Sequence, residues 1–139
     1  MTIDDENGFL GTWLLDPASC VFEQGDPPRA AVHRITLEGD ELVITMNWTE
    51  ASGETGHAAF RVPADGTPVP FSAGPLADML RLSSMSTSEL TLSASCNGLE
   101  LMTAKRVLAS DGRSLALTQT VHLPDFSAPT NTATYARQA

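Results

Sequence analysis

Residues 88–123 read SELTLSASCNGLELMTAKRVLASDGRSLALTQTVHL, and this stretch decides the fold class. Leu90, Leu92 and Ala94 alternate with Glu89, Thr91 and Ser93. Leu99 and Leu101 follow, and Leu115, Leu117 and Val121 then alternate with Ser114, Thr118 and Thr120. A period of two belongs to strands with one apolar face. The gaps hold Asn97-Gly98 and Asp111-Gly112, pairs that accept the positive φ a tight hairpin demands. Strands joined this closely are antiparallel neighbours.

The same pattern extends outward in both directions. Leu42, Ile44, Met46 and Trp48 alternate with Val43, Thr45 and Asn47, while Ala58, Phe60 and Val62 alternate with His57, Ala59 and Arg61. Gly39-Asp40 separates a run at 30–38 from one at 41–49. Asp65-Gly66 precedes 67–71, where Pro68 and Pro70 suit only an edge or irregular strand. With further runs near 9–15, 56–62, 77–84 and 131–137, nine or ten strands are expected. An open meander of that size leaves two long unpaired edges. The predicted architecture is therefore all-β: an antiparallel up-and-down barrel of about eight to ten strands with little helix, a two-sheet sandwich being the competitor. The segment 16–29 lacks alternation and carries Pro17, Pro27 and Pro28, so it is expected to be a loop over one end. The helix candidate is 74–82, where Pro75 suits a first turn but the pattern around it is weak.

With 139 residues, the chain is read as one domain, 1–139, with 1–7 as a flexible N-terminus. The net charge of −9 is uneven: residues 1–70 hold twelve of the seventeen acids and three of the eight basic residues. The few cations are scattered singly, which argues against nucleic acid as a partner. No apolar run reaches the roughly 20 residues of a spanning helix, so membrane insertion is not expected. The first seven residues carry acids where a signal peptide carries basic residues. A cytoplasmic protein is expected, or a periplasmic or secreted one if an export signal has been removed. Cys20 and Cys96 lie far apart without His neighbours at ligand spacing. They are read as two small buried side chains, with a disulfide as the alternative and no metal site.

The order of the pieces resembles the calycin superfamily, and within it a group of small bacterial lipocalin-like proteins of mostly unassigned function. Phe9-Leu10-Gly11-Thr12-Trp13 resembles the Gly-x-Trp signature. Asp16-Pro17-Ala18-Ser19 resembles the polar turn after it, and Gly74-Pro75-Leu76-Ala77-Asp78 a middle piece before a strand. Lys105-Arg106 leading through Ser110-Asp111-Gly112 into a strand, and the terminal Tyr135-Ala136-Arg137, complete the likeness. The resemblance implies the barrel. It also implies that Trp13 packs at a closed end under an arginine of the last strand, Arg137, with Arg106 as the alternative partner.

In such a barrel the apolar faces line the interior, which is either filled or holds one small ligand. Ile44, Met46, Trp48, Phe60, Leu82, Leu92 and Leu117 are the candidate apolar lining. His33 shares parity with Ala31, Ile35 and Leu37 and is expected inward, whereas His57 and His122 are expected outward. Thr103, Lys105, Gln119 and Tyr135 share parity with inward residues, and Gln119, Tyr135 and His33 are the candidate orienting groups, Lys105 having the option of reaching out at the rim. Haem-binding barrels of this superfamily use one axial His, for which His33 or His122 could serve, but no cofactor is expected. No Gly-x-Ser-x-Gly and no Cys-His pairing supports nucleophilic catalysis. The expected function is binding of a hydrophobic or amphipathic small molecule inside the barrel. The alternatives are an isomerase or cyclase using His33 with Tyr135 or Gln119, and an interaction module with a filled core. The oligomeric state is left open.

Overall fold

Ten antiparallel strands run up and down in the computed structural model, which describes residues 8–70, 78–123 and 125–138. They are β1 (Gly11–Phe22), β2 (Ala30–Glu38), β3 (Glu41–Thr49), β4 (Thr55–Pro63) and β5 (Val69–Pro70), then β6 (Met79–Met85), β7 (Glu89–Cys96), β8 (Leu99–Leu108), β9 (Ser114–Val121) and β10 (Thr130–Arg137). The sheet order is β4-β3-β2-β1-β10-β9-β8-β7-β6-β5, so β1 and β10 join the two halves of the chain. β4 and β6 approach each other without a hydrogen-bonded ladder, which leaves a nearly closed barrel. There is no helix among the described residues. Of the helix candidate, 79–82 lie in β6, and 74–77 lie outside the described residues, as does the N-terminus 1–7. At the β7–β8 hairpin Asn97 and Gly98 both take positive φ, 51° and 81°, the twist-matched turn that this residue pair favours.

Two expectations are corrected by irregular pairing. β1 does not stop at Leu15. It continues to Phe22 because β10 carries on beside it, with a bulge between Asp16 opposite Thr134 and Val21 opposite Thr132. Inside the bulge Ser19 Oγ donates to Asp16 O (2.6 Å) and accepts from Thr134 N (2.8 Å). Side-chain bonds thus replace the ladder where Pro17 has no N–H to give. The true loop is only 23–29. The second correction concerns β8. Ala94 pairs with Met102 and Ser95 with Glu100, so Leu101 is an extra residue. One extra residue reverses the facing of everything beyond it. Met102, Ala104 and Arg106 therefore line the interior, while Lys105 faces solvent and pairs with Glu89 at 3.4 Å. Thr103, expected inward, stands with Lys105 on the outer face. The cysteines are also corrected: each is half-buried rather than buried, and both are unpaired.

The core is densest at the end that carries the Gly39-Asp40, Asp65-Gly66 and Asp111-Gly112 turns. Phe9, Trp13, Ile35, Leu42, Val62, Leu90 and Leu115 are essentially inaccessible there. Trp13 is tied down twice. Its Nε1 donates to Phe9 O at 3.0 Å, and the Arg137 guanidinium lies 4.3 Å above its ring. Arg137 also donates to the carbonyls of Gly112 (2.9 Å), Leu10 (2.9 Å) and Gly8. It so clamps the entry to β1 onto the β8–β9 hairpin. Gly11 has φ 139°, and a Cβ there would stand 2.8 Å from Arg137 Nη1. The Gly and the Trp of the Gly-x-Trp signature therefore serve one arginine, the glycine by giving it room and the indole by giving it a surface.

Trp13→Ala is expected to cost about 3–5 kcal/mol, as other large aromatic truncations in cores do. Arg137→Ala is expected to cost about 1.5–3 kcal/mol through its lost charged hydrogen bonds. Urea denaturation of both variants checks the order.

Candidate functional site

Away from the clamp the interior opens. β2, β3, β9 and β10 surround a chamber of about 510 Å³ that reaches solvent between the 23–29 loop and the β3–β4 turn. Its walls carry His33, Met46, Trp48, Leu117, Gln119 and Tyr135, and its rim carries Asp26, Pro28 and Glu50. Asn131 holds the rim loop in place: its Oδ1 accepts from Glu23 N (2.9 Å) and Gln24 N (3.1 Å), and its Nδ2 donates to Gln24 O (2.8 Å). A second chamber of about 70 Å³ lies against Phe60, Leu80, Leu92, Ala104 and Arg106, and shares Met46 and Gln119 with the first. Trp48 stands opposite Gly56 on β4, and its indole occupies the space a Cβ at Gly56 would fill.

The wall of the chamber carries a chain of three buried polar side chains. Tyr135 Oη lies 3.2 Å from His33 Nε2, and Arg106 Nη2 lies 3.5 Å from His33 Nδ1. The His33 and Tyr135 rings are 4.4 Å apart and tilted by 32°. A guanidinium can only donate, so Nδ1 must be the bare nitrogen of a neutral imidazole. The imidazole proton then sits on Nε2 and is donated to Tyr135 Oη. That leaves the tyrosine hydroxyl hydrogen free for an acceptor elsewhere. Electrostatics agree with this assignment. Burial, reinforced by the Arg106 charge, pushes His33 down to about 3. Burial pushes Tyr135 up to about 12, against the opposing pull of Arg106.

Arg106 is 3% exposed. Burial lowers it to about 10, so it remains a cation at neutral pH. Its Nε and Nη1 have no hydrogen-bond partner among the described residues, and the ion pairs found there all lie on the surface and do not include it. A buried charge without a counter-ion costs several kcal/mol, roughly, even after the protein relaxes around it.

The candidate lining residues fall into three groups. Met46 and Gln119 border both chambers, His33, Trp48, Leu117 and Tyr135 the outer one, and Phe60 and Leu92 the inner one. Ile44 and Leu82 are buried in the packed core and border neither. His57 and His122 are exposed, His57 Nδ1 meeting Asn47 Oδ1 at 2.8 Å. No cluster of metal-binding side chains occurs among the described residues. In the sequence Arg106 enters only through the resemblance, as half of Lys105-Arg106 and as the alternative partner of Trp13. The bulge at Leu101, which leaves no signal in an alternating pattern, is what sends it inward.

His33 gives the site a pH signature. In the unfolded chain the imidazole protonates near its ordinary 6.5, whereas in the fold it resists protonation to about 3. Between those values the unfolded state binds one proton more than the folded state. The stability contribution is complete above about pH 6.5 and falls with pH by about 1.4 kcal/mol per unit. Urea denaturation from about pH 6.5 to about pH 4 is expected to show this loss in the wild type and a correspondingly flatter profile in His33→Gln.

No protein-family model matches this sequence, and no curated protein matches it. Solved structures do. The zebrafish ileal bile acid-binding protein complexed with cholic acid superposes with a TM-score of 0.55 at 15% identity, over 94% of this chain and 99% of that one. Lobster apocrustacyanin A1 gives 0.51 at 12% identity, over 97% of this chain, which spans only 63% of the crustacyanin. Bovine odorant-binding protein complexed with its natural ligand gives 0.50 at 10% identity, over 100% of this chain and 77% of that one. At such identities what is shared is the fold: the chain is a nearly closed, ten-stranded antiparallel β-barrel similar to these proteins in architecture.

Proposed function

We propose that this barrel binds a hydrophobic or amphipathic small molecule in the chamber between His33, Trp48 and Tyr135. The observation that carries the reading is the division of the interior. Large side chains fill the end under Trp13, while the other half holds an open volume of about 510 Å³. That is within the roughly 300–1,000 Å³ of small-molecule sites. Apolar walls with a few convergent polar groups are the usual composition of such sites. Bile acid-binding and odorant-binding barrels of the same fold, whose structures carry a bound small molecule, lend the reading support by analogy.

Among the alternatives, a wholly filled core is at odds with the open half. An isomerase or cyclase built on His33 and Tyr135 draws no support from the electrostatics. A general acid or base works best with a pKa near the operating pH, and these two groups hold their protonation states from about 3 to about 12. Such fixed groups suit orientation of a ligand through hydrogen bonds.

Trp48 borders the chamber and Trp13 lies at the other end, so each reports on a different place. An apolar probe such as 1-dodecanol, titrated into the full chain, is expected to change tryptophan fluorescence saturably. The response should persist in Trp13→Phe and vanish in Trp48→Phe. Gln119→Ala is expected to weaken a polar-headed probe by about 0.5–1.5 kcal/mol while sparing a hydrocarbon. A linear, non-saturating response in the wild type would count against binding.

A further inference from the structure

Arg106 brings a positive charge into the barrel wall and meets no carboxylate among the described residues. One hydrogen on Nε and two on Nη1 find no acceptor among the described residues, both atoms are inaccessible to solvent, and the residue borders the inner chamber. On the other side of His33 the Tyr135 hydroxyl hydrogen is also unused, because its oxygen already accepts from Nε2. Both groups adjoining the imidazole therefore offer donors. The imidazole itself has both nitrogens engaged. What this wall lacks is an acceptor, and a negatively charged one, since a neutral carbonyl would leave the guanidinium charge uncompensated.

We propose that the inner end of the chamber seats the carboxylate of an amphipathic acid, whose oxygens accept from Arg106 and Tyr135 while its apolar tail lies past Met46 toward Trp48. This assignment rests on the small-molecule binding proposed above and gives that ligand its chemical class. The surroundings favour a single negative charge over several. Arg106 is the only cation lining either chamber among the described residues, and Asp26 and Glu50 at the rim repel a multiply charged head. A phosphate dianion would need more compensation than one guanidinium gives, whereas a carboxylate matches it in charge and in planar geometry. The rim acids do not bar a singly charged acid from this acidic protein. Their repulsion acts through water and is screened by salt, while the Arg106 contact is shielded from it.

The test compares dodecanoate with 1-dodecanol, which share a tail and differ in the head, by calorimetry and Trp48 fluorescence on the full chain at neutral pH. The wild type is expected to bind dodecanoate about 10- to 100-fold more tightly, the range for hydrogen bonds to a charged group. In Arg106→Met that ratio should collapse toward one. The methionine fills similar volume and removes an uncompensated buried charge, so the variant should melt at or above the wild type without ligand, and dodecanoate should raise the melting temperature of the wild type more than that of the variant. Arg106→Lys, which keeps the charge, should retain part of the preference. Equal binding of acid and alcohol by the wild type overturns the carboxylate assignment and leaves the binding reading standing, as does a preference that survives Arg106→Met. Failure of both probes to bind overturns the two together.

Discussion

Closure of one end of the barrel depends on a single guanidinium. Arg137 lies on the Trp13 indole and gathers the carbonyls of Gly8, Leu10 and Gly112, which belong to two segments far apart in the chain. Those carbonyls belong to a crossing segment and a hairpin turn, neither of which has a full ladder to satisfy it. A charged donor with several N–H groups settles them all at once. With that end sealed, apolar packing is completed there by Phe9, Ile35, Leu42 and Leu90. The opposite end is then free to differ.

The open half is not simply less well packed. Its wall carries His33, Tyr135 and Arg106 in contact, buried beyond the reach of bulk water, with the protons placed by one constraint: a guanidinium cannot accept. From that follow the neutral imidazole, the direction of its bond to Tyr135 and the unused donors on either side of it. An arrangement that leaves a buried charge uncompensated works against stability. The packed clamp end provides the margin within which such a site can be kept. The two arginines illustrate the division of labour. Arg137 is saturated with partners and structural, whereas Arg106 borders the inner chamber with two of its three nitrogens unpartnered among the described residues.

Much of this was legible in the chain itself. Period-two alternation and the Asn97-Gly98 and Gly39-Asp40 pairs determined that the protein is a meander of antiparallel strands, because pleat and turn chemistry are local properties. The inward facing of His33, Trp48, Gln119 and Tyr135 followed from the same parity, since each lies in a strand free of insertions between it and its apolar neighbours. The pairing of Trp13 with Arg137 came from the resemblance of the chain to known barrels and not from periodicity.

Only the tertiary structure decided the rest. Parity is reliable until a bulge intervenes, and a bulge is set by what the neighbouring strand requires. β10 drew 16–22 into β1 despite Pro17, and β7 forced an extra residue at Leu101. The second of these exchanged Lys105 for Arg106 on the inner face and so created the charge that defines the site. The depth at which Ile44 and Leu82 leave the chamber and join the packed core is likewise a matter of barrel geometry. The sequence by itself determined which faces are apolar, because that is fixed by neighbours along the chain. Where the faces turn, and which polar group is left without a partner inside, was determined by strands that meet only after folding.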